Sequence, residues 1–264
     1  MHPCRDLLVG MLLCVLHSGS LLNTAEPLII AAASDLGPAM DELKWLHPQP
    51  ITVVLGSTGL LARQIAQVAP FDLFFAANRS FADDLVRNGH GVADSAVLYG
   101  RGRIVVWTRA AAPAPAPVTL TDLLADRFVH IAIANPEHAP YGQAAKEALQ
   151  NGGWWDRLEP RMVYGENVSQ TLQLAQSGNA DVAIVALSLA VAAPGGRWML
   201  IDDALHAPID QVAVMTTQAR DPIASRAFLA AVASPAGRTI MRRYGFVLPG
   251  EALDSTLLRT PDAP

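Results

Sequence analysis

Apolar runs of about six residues alternate with amphipathic segments along most of this chain. The runs are rich in Val, Ile, Ala and Phe and end near Gly, Pro or Ser, which is typical of buried strands. In the first part of the chain this pattern predicts strands over 28–34, 51–57, 71–77 and 103–108, and helices over 39–46, 60–68 and 81–88. Strands that alternate with helices indicate βαβ units and a mostly parallel sheet.

A second set of strands and helices follows a stretch at 109–118 in which Pro and Ala alternate. Such a stretch can continue neither a helix nor a central strand, so it predicts an exposed loop or a boundary between lobes. Beyond it the pattern predicts strands over 130–135, 161–166, 181–188, 198–202 and 211–217, and helices over 143–150, 169–177, 225–232 and 236–244. The sequence therefore predicts two α/β lobes.

Composition and charge fit a well-packed globular protein that does not bind nucleic acid. The 264 residues are 51% hydrophobic and 16% charged, and the net charge is −5. No Lys/Arg cluster of the kind that follows a phosphate backbone occurs in the sequence. An acidic protein can still bind an anion when local backbone dipoles supply the attraction.

The first 25 residues have the layout of a secretory signal peptide. Arg5 precedes an apolar run at 7–16, and small or polar residues follow it. The run is too short to span a bilayer, which needs about 20 residues. A buried N-terminal helix is the alternative. We expect residues 1–25 to be removed, which takes Cys4 and Cys14 with them and leaves an exported chain without disulfides or a thiol nucleophile.

Four junctions between a predicted strand and the next helix carry small, hydroxyl-bearing or amide-rich residues: Ser34, 57–59, 140–142 and 167–169. The first amides of a helix lack partners and carry the positive end of the helix dipole. In an open α/β sheet, ligands bind beyond the carboxyl ends of the strands, where these junctions lie. If the four junctions converge, they form a cleft of uncharged N–H and O–H donors that suits an anion.

Helix capping is the alternative explanation for each junction taken alone. Ser, Thr and Asn precede helices because their side chains accept from the first amides. Only the set of four favours a ligand site over four separate caps.

The donor set indicates a fully deprotonated oxyanion. Molybdate, tungstate and sulfate offer only acceptors, so donors alone satisfy them, whereas phosphate keeps a proton and favours a carboxylate acceptor. Asp35 and Glu166 are the carboxylates beside these junctions.

Enzyme and metal sites find little support in the sequence. The chain after residue 25 has none of the common nucleophile, zinc or phosphate-loop motifs, and its histidines are scattered without ligand spacing. Ser57, in Gly56–Gly59, remains a candidate hydrolase nucleophile. Tyr141 and Tyr164 together could bind ferric ion through phenolates. We expect no catalysis and no cofactor.

The junction segments resemble the periplasmic molybdate-binding proteins of ABC transporters. The resemblance runs in order from about Leu28 to Pro249 and is carried by "AAASDLGPAMDEL", "GSTGLLARQIAQVAPFDLFFAAN", "NPEHAPYGQAAKEAL", "YGENVSQTLQLAQSGNADVAIVALS" and "YGFVLP". It implies a type II periplasmic-binding-protein fold whose two lobes are joined by two crossovers and close over a tetrahedral molybdate or tungstate. Molybdenum would enter only as the centre of the oxyanion held by hydrogen bonds from these residues.

The resemblance also implies which residues bind. Ser34 matches a hydroxyl donor after the first strand, Thr58 matches a second hydroxyl donor, and Val168 matches a residue that donates its backbone N–H. Tyr141 falls where some members have a Tyr and others a small residue. The four residues expected to bind the oxyanion are therefore Ser34, Thr58, Tyr141 and Val168.

Ser57 and Ser188 are secondary candidates for binding, and a third position, Ala186, departs from the family pattern. Ser57 lies beside Thr58 at the second junction. Ala186 falls where part of the family has a binding Tyr, so Tyr141 would supply that hydroxyl from another junction, with Ser188 as a weaker substitute.

The resemblance finally implies partners and domain limits. We expect a monomeric periplasmic receptor that delivers its ligand to an inner-membrane ABC permease. Residues 1–25 would be the signal peptide, residues 26–107 with 211–264 the first lobe, and residues 108–210 the second. A receptor for sulfate or ferric ion, a Ser57 hydrolase, and the effector domain of a transcription regulator are the alternatives; the leader and the lack of DNA-binding helices count against the last.

Overall fold

The computed structural model describes residues 26–112 and 115–257. The predicted signal peptide lies outside these residues. The strands are β1 Leu28–Ala33, β2 Ile51–Gly56, β3 Leu73–Ala76, β4 Val97–Gly102, β5 Ile104–Arg109, β6 Ile131–Ala134, β7 Met162–Gly165, β8 Val182–Ala186, β9 Gly196–Leu200 and β10 Ile209–Met215. The α-helices are α1 Gly37–Leu43, α2 Thr58–Ala66, α3 Arg79–Arg87, α4 Pro140–Asn151, α5 Trp155–Leu158, α6 Val168–Ser177, α7 Leu187–Ala192, α8 Pro222–Ala233 and α9 Pro235–Arg243.

The strands form two separate five-stranded sheets, one in each lobe. The first has the order β2-β1-β3-β10-β4, and the second has the order β7-β6-β8-β5-β9. In each sheet three strands run parallel, and a strand that has crossed from the other lobe joins them in the antiparallel direction. This confirms the predicted α/β architecture of two lobes joined by two crossovers.

The sheet pairing moves one predicted boundary. The predicted first lobe includes residues 103–107, but β5 pairs with β8 and β9 in the second sheet. The first crossover therefore lies at Arg103, and the Pro/Ala stretch begins within the second lobe, where Arg109 pairs with Gly196. The pattern did not predict β4, because its two glycines weaken the apolar pattern of a strand. This strand occupies the edge of the first sheet. The return crossover precedes Ile209, close to the predicted residue 210.

Each sheet is covered by helices on its faces. In β1, Ile30 packs with Phe75 and Phe228 in one apolar cluster, and the neighbouring Ala31 packs with Phe74 in another. This alternation follows from the two-residue period of a strand and explains why β1 is apolar throughout. The second lobe has one large cluster. Two rigid sheets thus hold the strand ends that face each other across the cleft.

None of the helices in the described ranges is both long enough and apolar enough to cross a membrane.

Candidate functional site

The four predicted junctions meet in one cavity between the lobes. Its empty space is about 190 Å³, including the open mouth. The first lobe contributes the ends of β1, β2 and β3, and the second lobe contributes the starts of α4 and α6. The lining residues are Ala33, Ser34, Asp35, Gly56, Ser57, Thr58, Ala77, Ala139, Pro140, Tyr141 and Val168. All four residues of the primary set therefore line the same space.

Ser34 lies directly after β1 and is buried at the cleft. Its Oγ accepts from the amide of Ser169 at 3.4 Å, and its carbonyl accepts from Ser169 Oγ at 3.0 Å. Neither contact uses the hydroxyl proton of Ser34. That proton is available to an anion in the cavity.

Thr58 and Ser57 occupy the second junction but differ in their hydrogen bonds. Thr58 Oγ1 accepts from the amide of Ala77 at 3.1 Å, which again leaves its hydroxyl proton unused. Ser57 Oγ instead lies 2.6 Å from the carbonyl oxygen of His138 and 2.8 Å from Nδ1 of the same residue. Ser57 makes no side-chain cap for α2. Its hydroxyl connects the lobes, and Thr58 is the better donor for a ligand.

Val168 begins α6, so its N–H has no acceptor within its own helix. Its neighbour Asn167 is a true cap, because the Asn167 side chain accepts from the amide of Gln170 at 3.0 Å. The cap at this junction is therefore Asn167, and the amide of Val168 faces the cavity without an acceptor in its own helix.

Tyr141 lies in the first turn of α4, where its amide also lacks an acceptor within the helix. A close approach of α4 to β6 puts it there: a Cβ on Gly142 would lie 1.9 Å from the carbonyl oxygen of Ala134. The side chain crosses to the first lobe. Its hydroxyl donates to Asp35 Oδ2 at 2.8 Å and accepts from Gln211 Nε2 at 3.0 Å.

Asp35 is the centre of a buried polar network that the sequence did not reveal. Gln211 Nε2 also donates to Asp35 Oδ2 at 3.0 Å, and Gln211 Oε1 accepts from the hydroxyl of Tyr99 at 2.8 Å. Burial raises the pKa of Asp35 to about 7, although hydrogen bonds from Tyr141 and Gln211 act in the opposite direction. Burial, with the nearby Asp35 charge, also raises the pKa of Tyr141 well above its usual value. The phenol therefore stays protonated.

Ser188 does not line the cavity. Its hydroxyl donates to the main-chain carbonyl of Asp35 at 2.8 Å, so it joins α7 to the first lobe. Ala186 is fully buried in the core of the second lobe. Tyr164 is half-exposed on β7 and also lies outside the cavity, so the pair of phenolates considered for ferric ion does not form there.

One contact that the sequence did not predict, between Ser57 and His138, bears on the hydrolase alternative. A serine nucleophile needs its histidine oriented by a third group, normally a carboxylate. Among the hydrogen bonds of the described residues, none joins His138 to a carboxylate. Within the same residues, no group of three or more His, Cys, Asp or Glu side chains is placed to hold a metal ion.

The two lobes touch across the cleft at several points. Besides the bonds of Ser169, Ser188 and Tyr141, the amide of Gly59 donates to the carbonyl oxygen of His138 at 2.9 Å. A Cβ on Gly59 would lie only 2.8 Å from that oxygen. The structure is thus a closed form, in which small residues allow helix α2 to contact the opposite lobe.

Comparisons with known proteins agree with this architecture. The chain matches the family model described as bacterial extracellular solute-binding protein over residues 28–247. The molybdate-binding protein ModA of Rhodobacter capsulatus is 36% identical over 201 residues, which are 75% of this chain and 77% of the relative. ModA of Azotobacter vinelandii is 30% identical over 246 residues, which are 90% of this chain and 94% of the relative.

A solved structure shows the same fold. The periplasmic molybdate-binding protein of Azotobacter vinelandii matches with a TM-score of 0.78 and 28% identity, covering 84% of this chain and 99% of that one. The resemblance that the junction segments carry is thereby confirmed, and the chain belongs to the family of bacterial extracellular solute-binding proteins.

Proposed function

We propose that this protein is the periplasmic receptor of an ABC importer for molybdate, and that it also binds tungstate. The observation that carries the proposal is the convergence of four uncharged donor positions, two from each lobe, on one cavity. The relatives named above, which are molybdate-binding proteins, support the identity of the anion.

The donors would act together on a tetrahedral oxyanion. The hydroxyls of Ser34 and Thr58 and the amides of Tyr141 and Val168 would each donate to an oxygen of the ligand. Each hydrogen bond adds only about 0.5–3 kcal/mol, because the donor gives up water to make it. High affinity therefore requires that the helix ends hold the donors in place before the ligand enters.

The rest of the proposal concerns the cell. The protein would be exported by its N-terminal leader, act as a monomer without a cofactor, and present the closed lobes to an inner-membrane permease. It would not catalyse a reaction, because no hydrogen bond among the described residues joins His138, the histidine beside Ser57, to an orienting carboxylate.

Titration calorimetry of the purified mature chain tests the proposal. We expect tight binding of molybdate and tungstate and much weaker binding of sulfate, with no response to ferric ion. Ser34→Ala and Thr58→Val should each raise the molybdate Kd about tenfold, which corresponds to about 1.4 kcal/mol. Ser177→Ala, at the exposed far end of α6, is the matched control and should leave the Kd unchanged.

Three outcomes would overturn the proposal. Equal affinity for sulfate would assign a different anion, saturable ferric binding would assign a metal receptor, and ester hydrolysis lost in Ser57→Ala would assign an enzyme.

A further inference from the structure

Asp35 is an unexpected residue in a site for a fully deprotonated anion. It follows Ser34, lines the cavity, and is completely buried. Its Oδ2 receives two hydrogen bonds, whereas Oδ1 is buried and has no hydrogen-bond partner among the described residues. An ionised carboxylate in this position would be short of donors and would repel an anion beside it.

The groups that face Asp35 do not neutralise its charge. They are Tyr141 from α4, Gln211 from β10, Tyr99 from β4 and Ser188 from α7. The phenols of Tyr99 and Tyr141 are the titratable ones, and both stay protonated because burial raises their pKa. None of the causes of the Asp35 pKa shift is a Lys, Arg or His side chain.

We infer that Asp35 takes up one proton from solvent when a fully deprotonated oxyanion enters the cavity, and that this uptake decides which class of anion the site accepts. The inference rests on the proposed function. Protonation removes the repulsion between carboxylate and ligand. The O–H bond of the carboxyl group is the only covalent bond formed, and its proton comes from the buffer.

The uptake also changes what Tyr141 can do. In the structure the single phenol proton is donated to Asp35 Oδ2. Once Oδ2 carries a proton, that carboxyl O–H donates to Tyr141 Oη, and the phenol O–H is released toward the cavity. A proton on Asp35 thus converts a lobe contact into an additional ligand donor. The Gln211 amide, which reaches both oxygens, can remain in place through the change.

An anion that brings its own proton would behave differently. Hydrogen phosphate could donate to an ionised Asp35, and no proton would be taken from solvent. The number of protons taken up therefore reports which class of anion the cavity suits.

The test is calorimetry with sodium molybdate from pH 6 to pH 9 in pairs of buffers that differ in ionisation enthalpy. Free Asp35 ionises near pH 7, so uptake should approach one proton per molybdate above that pH and fall toward zero below it. The Kd should then rise about tenfold per pH unit above pH 7. Binding without proton uptake overturns the inference and leaves the proposed function intact, whereas absence of binding at every pH removes the proposed function.

Asp35→Asn assigns the proton to this residue. The asparagine keeps the shape and the acceptor but has no proton to gain, so uptake and the pH slope should both disappear. His138→Asn is the matched control, since His138 is the histidine beside Ser57, and it should keep the slope. A slope that persists in Asp35→Asn, or disappears in His138→Asn, overturns the assignment. If Asp35→Asn does not fold, the proton uptake measured with the unaltered protein still tests the inference.

Phosphate provides a second comparison. Phosphate that binds more tightly than molybdate, without proton uptake, would also overturn the inference.

Discussion

The phenol of Tyr141 in the second lobe donates to the carboxylate of Asp35 in the first lobe, over 2.8 Å. The contact depends on Gly102 at the end of β4, because a Cβ there would lie 2.1 Å from Tyr141 Oη. The Tyr141 hydroxyl, predicted from the sequence to be a ligand donor, therefore also joins the two lobes. A variant that lacks this hydroxyl therefore loses the proposed ligand donor and the contact between the lobes together.

Tyr141→Phe should weaken molybdate binding about ten- to a hundredfold while the protein stays folded. The substitution removes the hydroxyl that donates to Asp35 in the structure and would be released to the ligand once Asp35 is protonated, and it leaves the buried ring in place. One hydrogen bond to an anion contributes about 1.5–3 kcal/mol. Titration calorimetry gives the Kd, and circular dichroism checks the fold. Tyr164→Phe, on the half-exposed β7 position outside the cavity, is the control. An unchanged Kd in Tyr141→Phe would remove the phenol from the site.

Gly59→Ala should prevent full closure of the lobes. The added methyl group would lie 2.8 Å from the carbonyl oxygen of His138, closer than such atoms approach, so the second lobe must move away. We expect faster dissociation of molybdate and a weaker Kd with an unchanged association rate, measured by stopped-flow fluorescence. Gly100→Ala is the control, since its Cβ would meet only ordinary contacts, the nearest at 3.5 Å. Wild-type dissociation in Gly59→Ala would show that this contact does not hold the cleft closed.

The sequence predicted the junctions because their signals are local. Ser34, Thr58 and Val168 each follow an apolar strand and begin a helical segment, and parallel strands bring such positions to one edge of a sheet. Gln211 carries no such signal. It is separated from Asp35 by 176 residues and lies in a strand that crosses from the other lobe. Its role depends on the order of strands, which periodicity does not encode.

The predicted boundary between the two lobes was wrong for a related reason. The pattern identified β5 as a strand but could not tell which sheet it joins. Its apolar residues are equally suited to either core, and only the pairing of Val105 with Val185 and Leu200 decides.

Asp35 should make the ligand-free protein less stable as pH rises. Its folded pKa of about 7 exceeds the unfolded value of 3.8, so the folded state binds more protons between these values and the cost of ionising Asp35 grows across that range. Urea unfolding measures the free energy of unfolding of both proteins at pH 5 and at pH 8. The free energy of Asp35→Asn minus that of the unaltered protein should increase by about 3 kcal/mol from pH 5 to pH 8. A difference that does not vary with pH would contradict the raised pKa.

Asp72 should stabilise the first lobe in the opposite pH sense. This buried carboxylate accepts from the amide of Ile29 at 2.7 Å, and from the amide and guanidinium of Arg220 at 2.8 and 3.0 Å. Burial alone would raise its pKa, but the hydrogen bonds from Arg220 and Ile29 outweigh that effect and lower the pKa. Because the folded pKa is lowered, the stabilisation is fully present above about pH 4 and is lost as pH falls through the folded value.

Asp72→Asn should therefore reduce the free energy of unfolding by roughly 2–3 kcal/mol at pH 7, because a charged acceptor with several donors is replaced by a neutral amide. Arg220 is partly exposed, so the loss should be smaller than that for breaking a fully buried ion pair. Asp94→Asn, whose partner Arg226 lies with it on the surface, should cost less than about 1 kcal/mol. Urea unfolding of the three proteins at pH 7 and at pH 3 measures both the loss and its pH dependence. Equal losses in the two variants would mean that the Asp72 network does not hold β1 and β3 to the segment before α8.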